Sequence, residues 1–171
     1  MSSQKFSLVF ILFSLILCNN VFGATSATAT VTATATIASA SLTATVSTDL
    51  SFGSIIVSNQ ASEVTINASA GSATPSVTSG SASVSGGSSG LISVTTNIAA
   101  SLSISYPATA TLTDGGANSI TLNQIAANST ATPLAATVAG PNEINVGGVL
   151  AVGASQAAGN YSGNLAITIS Y

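Results

Sequence analysis

Hydrophobic and polar residues alternate along much of this chain, and the longest alternating run lies near its start. Threonine fills the even positions of residues 27–37, and the odd positions are apolar: Ala27, Ala29, Val31, Ala33, Ala35 and Ile37. A period of two over this length predicts a β-strand. At Ala38 the phase shifts by one residue, and Ala40, Leu42, Ala44 and Val46 become the apolar set. Because such a shift exchanges the two faces, the pattern indicates either one edge strand bent at a bulge or two strands in different sheets or molecules.

The middle of the chain carries shorter strand signals separated by turn residues. Leu102, Ile104 and Tyr106 alternate with serines, and a hairpin turn predicted at Asp114-Gly115-Gly116 leads to a strand containing Ile120 and Leu122. Gly147-Gly148 predicts a further turn between two short strands within residues 145–150. Residues 71–90 are rich in serine and glycine, and we expect one short strand near residues 82–85 and a mobile connection over residues 86–90.

A final alternating run predicts an edge strand at the end of the sequence. One face of this run carries Tyr161, Gly163, Leu165, Ile167, Ile169 and Tyr171. No segment after residue 23 has a helical period, and the predicted strands are short and regularly spaced. This pattern predicts an all-β fold, and specifically an immunoglobulin-like, mostly antiparallel β-sandwich over residues 38–171.

The first 23 residues predict a cleaved secretory signal peptide. A short start containing Lys5 precedes an apolar run over residues 6–18, which is too short to cross roughly 30 Å of hydrocarbon as a helix. We therefore expect a secreted protein that is not inserted in a membrane. Residues 24–37 would then be an N-terminal extension ahead of the sandwich domain.

Composition excludes most chemistry from the secreted part. The sequence has one Lys or Arg, four Asp or Glu, no His and one Cys, and both Lys5 and Cys18 lie in the predicted signal peptide. Without basic residues, phosphates and nucleic acids have no counter-charge. Without His or Cys, the common zinc sites and nucleophile–base pairs are missing. The carboxylates are Asp49, Glu63, Asp114 and Glu143, and nothing in the sequence groups them for hydrolysis or calcium binding. We expect no enzyme activity, cofactor or metal.

Two motifs resemble a bacterial family of small secreted domains of unknown function related to fimbrial subunits. The first is Val146-Gly147-Gly148 to Leu150, followed by Gln156, Gly159, Tyr161-Ser162-Gly163 and an alternating strand ending in Tyr171. The second is Asp49-Leu50-Ser51-Phe52-Gly53. The resemblance covers most of the chain after residue 23. The chain departs from the family pattern in its Ser/Gly-rich middle and in its lack of basic residues.

The resemblance implies assembly into a surface fibre by strand exchange. A periplasmic chaperone and an outer-membrane usher would deliver subunits to the bacterial cell surface, where the homopolymer supports adhesion or biofilm formation. Residues 24–37 of one subunit would be the donor strand, with its apolar set Ala27, Ala29, Val31, Ala33, Ala35 and Ile37. Residues 165–171 would form one edge of the acceptor groove in the next subunit, with the chaperone holding the carboxylate of Tyr171.

Two alternatives stay open from the sequence. Residues 27–46 could be one bent edge strand paired within their own sheet. The protein could also be a stand-alone secreted binding domain that recognises a glycan or a host protein without polymerising.

Overall fold

The computed structural model describes residues 26–68, 73–127 and 142–171, together with the backbone of residues 134–136. The predicted signal peptide and residues 24 and 25 lie outside this part. The chain divides into two units, Met1–Ile37 and Ala38–Tyr171. The described residues contain strands and no helix, as the alternating pattern predicts. The strands are β1 Leu42–Thr48, β2 Ser54–Ile56, β3 Ser62–Ile66, β4 Ser76–Ser79, β5 Ser83–Ser85, β6 Gly90–Thr96, β7 Ala100–Ser105, β8 Ala110–Thr113, β9 Ser119–Ala127, β10 Leu134–Ala136, β11 Asn142–Val152 and β12 Thr168–Ser170.

The long strand β11 organises the largest sheet. Its first half pairs with β6 and its second half with β3 along the same edge, while β9 pairs along the opposite edge. Outer strands β1, β4 and β8 complete a seven-stranded sheet by pairing with β6, β3 and β9. A three-stranded sheet has the order β10-β7-β12, and β2 pairs with β5. Every pairing among the described residues is antiparallel.

Two clusters of buried side chains form the core. The first joins Phe52, Val64 and Ile66 to residues of β9 and β11, and the second joins Leu102 of the smaller sheet to residues of β6 and β11. Leu50 and Leu165 pack against both clusters. Side chains from both sheets therefore share one interior. The prediction of an all-β, antiparallel β-sandwich is confirmed, while the immunoglobulin-like strand order stays a prediction.

The predicted turn at Gly147-Gly148 is wrong, because β11 runs through both glycines without reversing. A Cβ on Gly147 would collide with the backbone carbonyl oxygen of Ile66 and lie 2.8 Å from the amide nitrogen of Ala68. The glycine therefore lets β3 approach β11 where the edge of β11 changes partner from β6 to β3. A glycine inside a strand commonly marks such a close backbone approach.

The Ser/Gly-rich region is more ordered than its composition suggests. Strand β5 lies where the pattern predicts it, but the mobile connection predicted over residues 86–90 is wrong. Ser88 exchanges two backbone hydrogen bonds with Ser51, at 2.9 and 2.8 Å, and the amide of Ser89 donates to the carbonyl of Ala73 at 2.8 Å. This stretch is ordered because it pairs with distant segments of the chain. Amino-acid composition gives no information about such pairing.

Candidate functional site

The free edge of β1 is the first part of the candidate site. Strand β1 pairs with β6 through Leu42 to Thr48 and with no other strand of the described residues. Leu42 is half-buried, but every later residue of the strand is exposed, including 60% of Val46. An exposed apolar side chain on an unpaired edge is what natural sheets usually avoid. Among the described residues of the Ala38–Tyr171 unit, no strand therefore covers this edge.

The last eleven residues form the second part of the site. The predicted edge strand over residues 161–171 is too long: only Thr168–Ser170 forms a strand, β12, which pairs with β7. Leu165, Ile167 and Ile169, three members of the predicted apolar face, are half-buried and pack against the second core cluster. Tyr171, expected on the same face, is 53% exposed.

Gly163 is one reason why residues 161–167 do not form a continuous strand. A Cβ there would collide with the carbonyl oxygen of Thr111 and lie 3.3 Å from Leu112 Cα. Just before it, Ser162 exchanges two backbone hydrogen bonds with Thr113 of β8, at 2.8 and 2.9 Å. The segment thus contacts β8 at Ser162 and Gly163 and pairs with β7 only at β12. Residues 164–167 belong to no strand and pair with no strand of the described residues.

A cleft of about 640 Å³ lies between β1 and residues 161–171, here called the last segment. Its β1 side contains Ala44, Val46 and Thr48, and the opposite side contains residues 162–165 together with Ile167 and Ile169. The buried side chains of Ile92, Leu122 and Val146 are among those that line its interior. The cleft is therefore lined by slightly more apolar than polar surface, with β1 on one side and residues 163–165, which belong to no strand, on the other.

Residues 26–37 form no strand in the isolated chain, so the strand predicted over residues 27–37 is absent from this structure. Every residue of this stretch is exposed, including 87% of Val31 and 97% of Ile37. The alternating pattern specifies two faces, but a strand forms only where another strand supplies hydrogen bonds. The same observation contradicts the alternative in which residues 27–46 are one bent strand of their own sheet.

Side chains near the start of β1 hold the chain just before this strand. The amide of Ser41 donates to Asn97 Oδ1 at 2.8 Å, and Asn97 Nδ2 donates to the carbonyl of Ser39 at 2.8 Å. The Tyr171 hydroxyl donates to the carbonyl of Ser41 at 2.6 Å and lies 3.2 Å from Thr96 Oγ1. We call this group of bonds the clasp. It joins the β1 side of the cleft to the residue that follows β12.

A second, smaller cavity of about 490 Å³ adjoins Phe52, Leu112 and Tyr161. Its polar groups are bonded to one another: Tyr161 Oη donates to the carbonyl of Ala157 at 2.7 Å, and Gln156 Nε2 donates to Tyr161 Oη at 2.9 Å. These bonds fix the loop before the last segment. Tyr161 and Gln156, which the sequence places in a family-like motif, are thus positioning residues for that loop.

The carboxylates are the remaining candidate groups for hydrolysis or calcium binding. No group of three or more metal-ligating side chains occurs in the described ranges. Asp114 Oδ1 accepts from the amides of Gly116 at 2.8 Å and Asn118 at 3.3 Å, and Oδ2 accepts from Asn118 Nδ2 at 2.6 Å. The side-chain bond from Asn118, followed by the backbone bond from Gly116, lowers the pKa of Asp114. The carboxylate therefore stabilises the β8–β9 hairpin turn that the sequence predicts.

Sequence reasoning found the apolar face of the last segment but missed the other side of the cleft and the clasp. Ala44 and Val46 belong to an alternating run, yet their exposure depends on which strands pair with β6. Asn97 lies between β6 and β7 with no periodic or motif signal.

Within the described residues, no helix is long and apolar enough to span a membrane.

The comparison with known protein families gives a family match for this chain, which the other two comparisons do not extend. No curated protein matches this chain, and no solved structure matches it. The profile of the family described as "Domain of unknown function (DUF4402)" matches residues 41–171, which is more than half of the chain. The matched region begins one residue before β1 and so includes both sides of the cleft, whereas residues 26–37 precede it. The chain belongs to the DUF4402 family of domains of unknown function.

Proposed function

We propose that this protein is a secreted structural subunit of a fimbria-like bacterial surface fibre. Residues 24–37 of one copy add as a strand in the cleft of the next copy. The carrying observation is the uncovered cleft, with Val46 on one side and Leu165, Ile167 and Ile169 on the other. Edge addition by an extended segment is a recognised binding mode, with main-chain hydrogen bonds giving affinity and alternate side chains giving specificity.

The composition of the extension supports this occupant. Residues 27–37 place small alanines and two larger apolar residues on one face, and the whole described part of the stretch is exposed. A strand of this length would gain about ten hydrogen bonds worth roughly 1 kcal/mol each. Burial of Val31 and Ile37 would add roughly 3–6 kcal/mol in total. The backbone would thus contribute most of the binding energy.

Charge adds a further argument. The secreted part has neither Lys nor Arg, residues 24–37 contain no Asp or Glu, and Asp49, which is exposed, is the one carboxylate side chain among the residues that line the cleft, so few charges would have to be desolvated. Association between copies would depend on strand pairing and apolar contact. A periplasmic chaperone and an outer-membrane usher are the proposed assembly partners, because an unfilled apolar cleft needs protection before assembly.

Deletion of residues 24–37 tests the proposal. Light scattering after size-exclusion chromatography should show a series of oligomers for residues 24–171 and only monomer for residues 38–171. A synthetic peptide of residues 24–37 should bind the shortened chain at one copy per monomer and raise its melting temperature. A peptide of the same composition in scrambled order is the matched control.

Two results would contradict the proposal. Monomeric behaviour of residues 24–171 at all concentrations would favour a stand-alone binding domain. An unchanged oligomeric state after the deletion would show that the extension is not the connecting strand.

A further inference from the structure

The clasp is relevant to self-insertion, which any subunit with a covalently attached donor strand must avoid in order to polymerise. A donor segment attached to its own domain has an effective concentration in the millimolar range for a short connection, far above typical concentrations of a second copy. If the segment could reach its own cleft, self-insertion would outcompete polymerisation. Residues 38–41 are the only connection between Ile37 and β1, so their conformation decides which outcome is possible.

The hydrogen bonds of Asn97 hold this connection extended. In a strand, the carbonyl of one residue and the amide two residues later point to the same side. The carbonyl of Ser39 and the amide of Ser41 have this relation, and the side-chain amide of Asn97 bonds to both at 2.8 Å. Asn97 therefore acts in place of a backbone partner just beyond the last pair of β1 and β6, Leu42 with Thr96.

An extended connection leaves no room for a reversal. The tightest hairpin turns use two central residues in turn conformations. With residues 39–41 in line with β1, Ala38 alone remains between the clasp and Ile37. A turn made earlier in the chain would remove Ile37 from the inserted strand. The Tyr171 hydroxyl adds a third bond to this connection by donating to the carbonyl of Ser41.

We propose that the clasp formed by Asn97 and Tyr171 prevents insertion of the donor segment into its own cleft and so directs it to a second copy of this chain. This inference rests on the proposed function. It assigns to Asn97 and Tyr171 a positioning role in partner choice, separate from the contacts that the donor strand makes.

The test compares full-length secreted chains, residues 24–171, that carry Asn97→Ala, Tyr171→Phe or both. At equal protein concentration, the double variant should raise the ratio of monomer to oligomer at least tenfold, which corresponds to a free-energy change of about 1.4 kcal/mol. Its monomer should melt at a higher temperature than the shortened chain of residues 38–171, because it fills its own cleft. Asn59→Ala and Tyr106→Phe remove the same groups elsewhere and should leave the ratio unchanged.

An insertion variant keeps the test decisive if the clasp variants fold poorly. Insertion of Gly-Gly-Ser-Gly between Ile37 and Ala38 leaves the clasp intact but supplies a turn, so it should raise the monomer fraction in the same way. The same insertion between Ala24 and Thr25 is the control and should not. The clasp inference alone would be overturned if the wild type forms oligomers and the double and insertion variants keep the wild-type ratio of monomer to oligomer. Absence of wild-type oligomers would overturn the proposed function and the inference with it.

Discussion

Single polar side chains fix the loops around the cleft. The buried hydroxyl of Ser62 accepts hydrogen bonds from the amides of Ser81 and Ala82, both at 3.1 Å, and so holds the turn between β4 and β5. Asn97 and Gln156 act similarly on other loops. In a chain with 3% charged residues, hydroxyl and amide groups take the role that ion pairs often have in loops.

Asp114 gives a prediction at this scale. Its pKa is lowered in the folded protein, first by the side-chain bond from Asn118, so its stabilising effect is present above the unfolded-state pKa of about 4. The effect is lost as the pH falls through the lower folded-state value. The difference in melting temperature between wild type and Asp114→Asn should therefore be constant above about pH 5 and shrink in more acidic buffer.

The Asn118→Ala variant tests the cause. Loss of its side-chain donor should raise the folded-state pKa of Asp114 toward the unfolded-state value, so the loss of stability in acid should be smaller and should end at a higher pH than in wild type. Thermal melts monitored by circular dichroism from pH 2 to 6 would measure both effects. A gap between wild type and Asp114→Asn that persists unchanged into acid would contradict the assignment.

At the scale of elements, alternation predicted which residues face inward better than it predicted which strands form. Leu102, Ile120 and Leu122 are buried on the predicted faces of β7 and β9, and the hairpin at Asp114 lies where the turn residues indicate. The glycine pair in β11 was misleading because glycine marks a turn and a close approach alike. The stretch at residues 27–37 has the strongest pattern and no strand, because periodicity specifies faces but not a partner.

The donor segment gives the prediction for this scale. Four alanines on its apolar face are nearly interchangeable, so a shift by two residues costs little unless Val31 and Ile37 must occupy defined places. Replacement of both by Thr should remove most of the roughly 3–6 kcal/mol of apolar burial and give fewer or heterogeneous polymers. Electron microscopy and sedimentation would measure the length distribution.

The matched control for that replacement is Ala29→Thr with Ala33→Thr. It adds the same polar side chains to the same face while removing little apolar area. This variant should polymerise better than the Val31/Ile37 variant. Equal polymer yield and stability for both variants would contradict a register set by Val31 and Ile37.

For the whole molecule, the absence of histidine predicts stability that is insensitive to pH near neutrality. Stability changes with pH only where the folded and unfolded states bind different numbers of protons. The sequence has no His, and the lowered pKa of Asp114 moves its titration further from neutrality. In a chain of residues 24–171, the α-amino group is the only group whose ordinary pKa lies near the interval from about pH 5 to 8. The melting temperature of residues 24–171 should therefore be nearly constant across this interval.

A steep change there would contradict the prediction and would reveal a carboxylate with a strongly raised pKa, for example one buried between copies in the proposed fibre. Comparison with the shortened chain of residues 38–171, which the proposed function predicts to be monomeric, separates these sources, because no carboxylate would be buried between copies there.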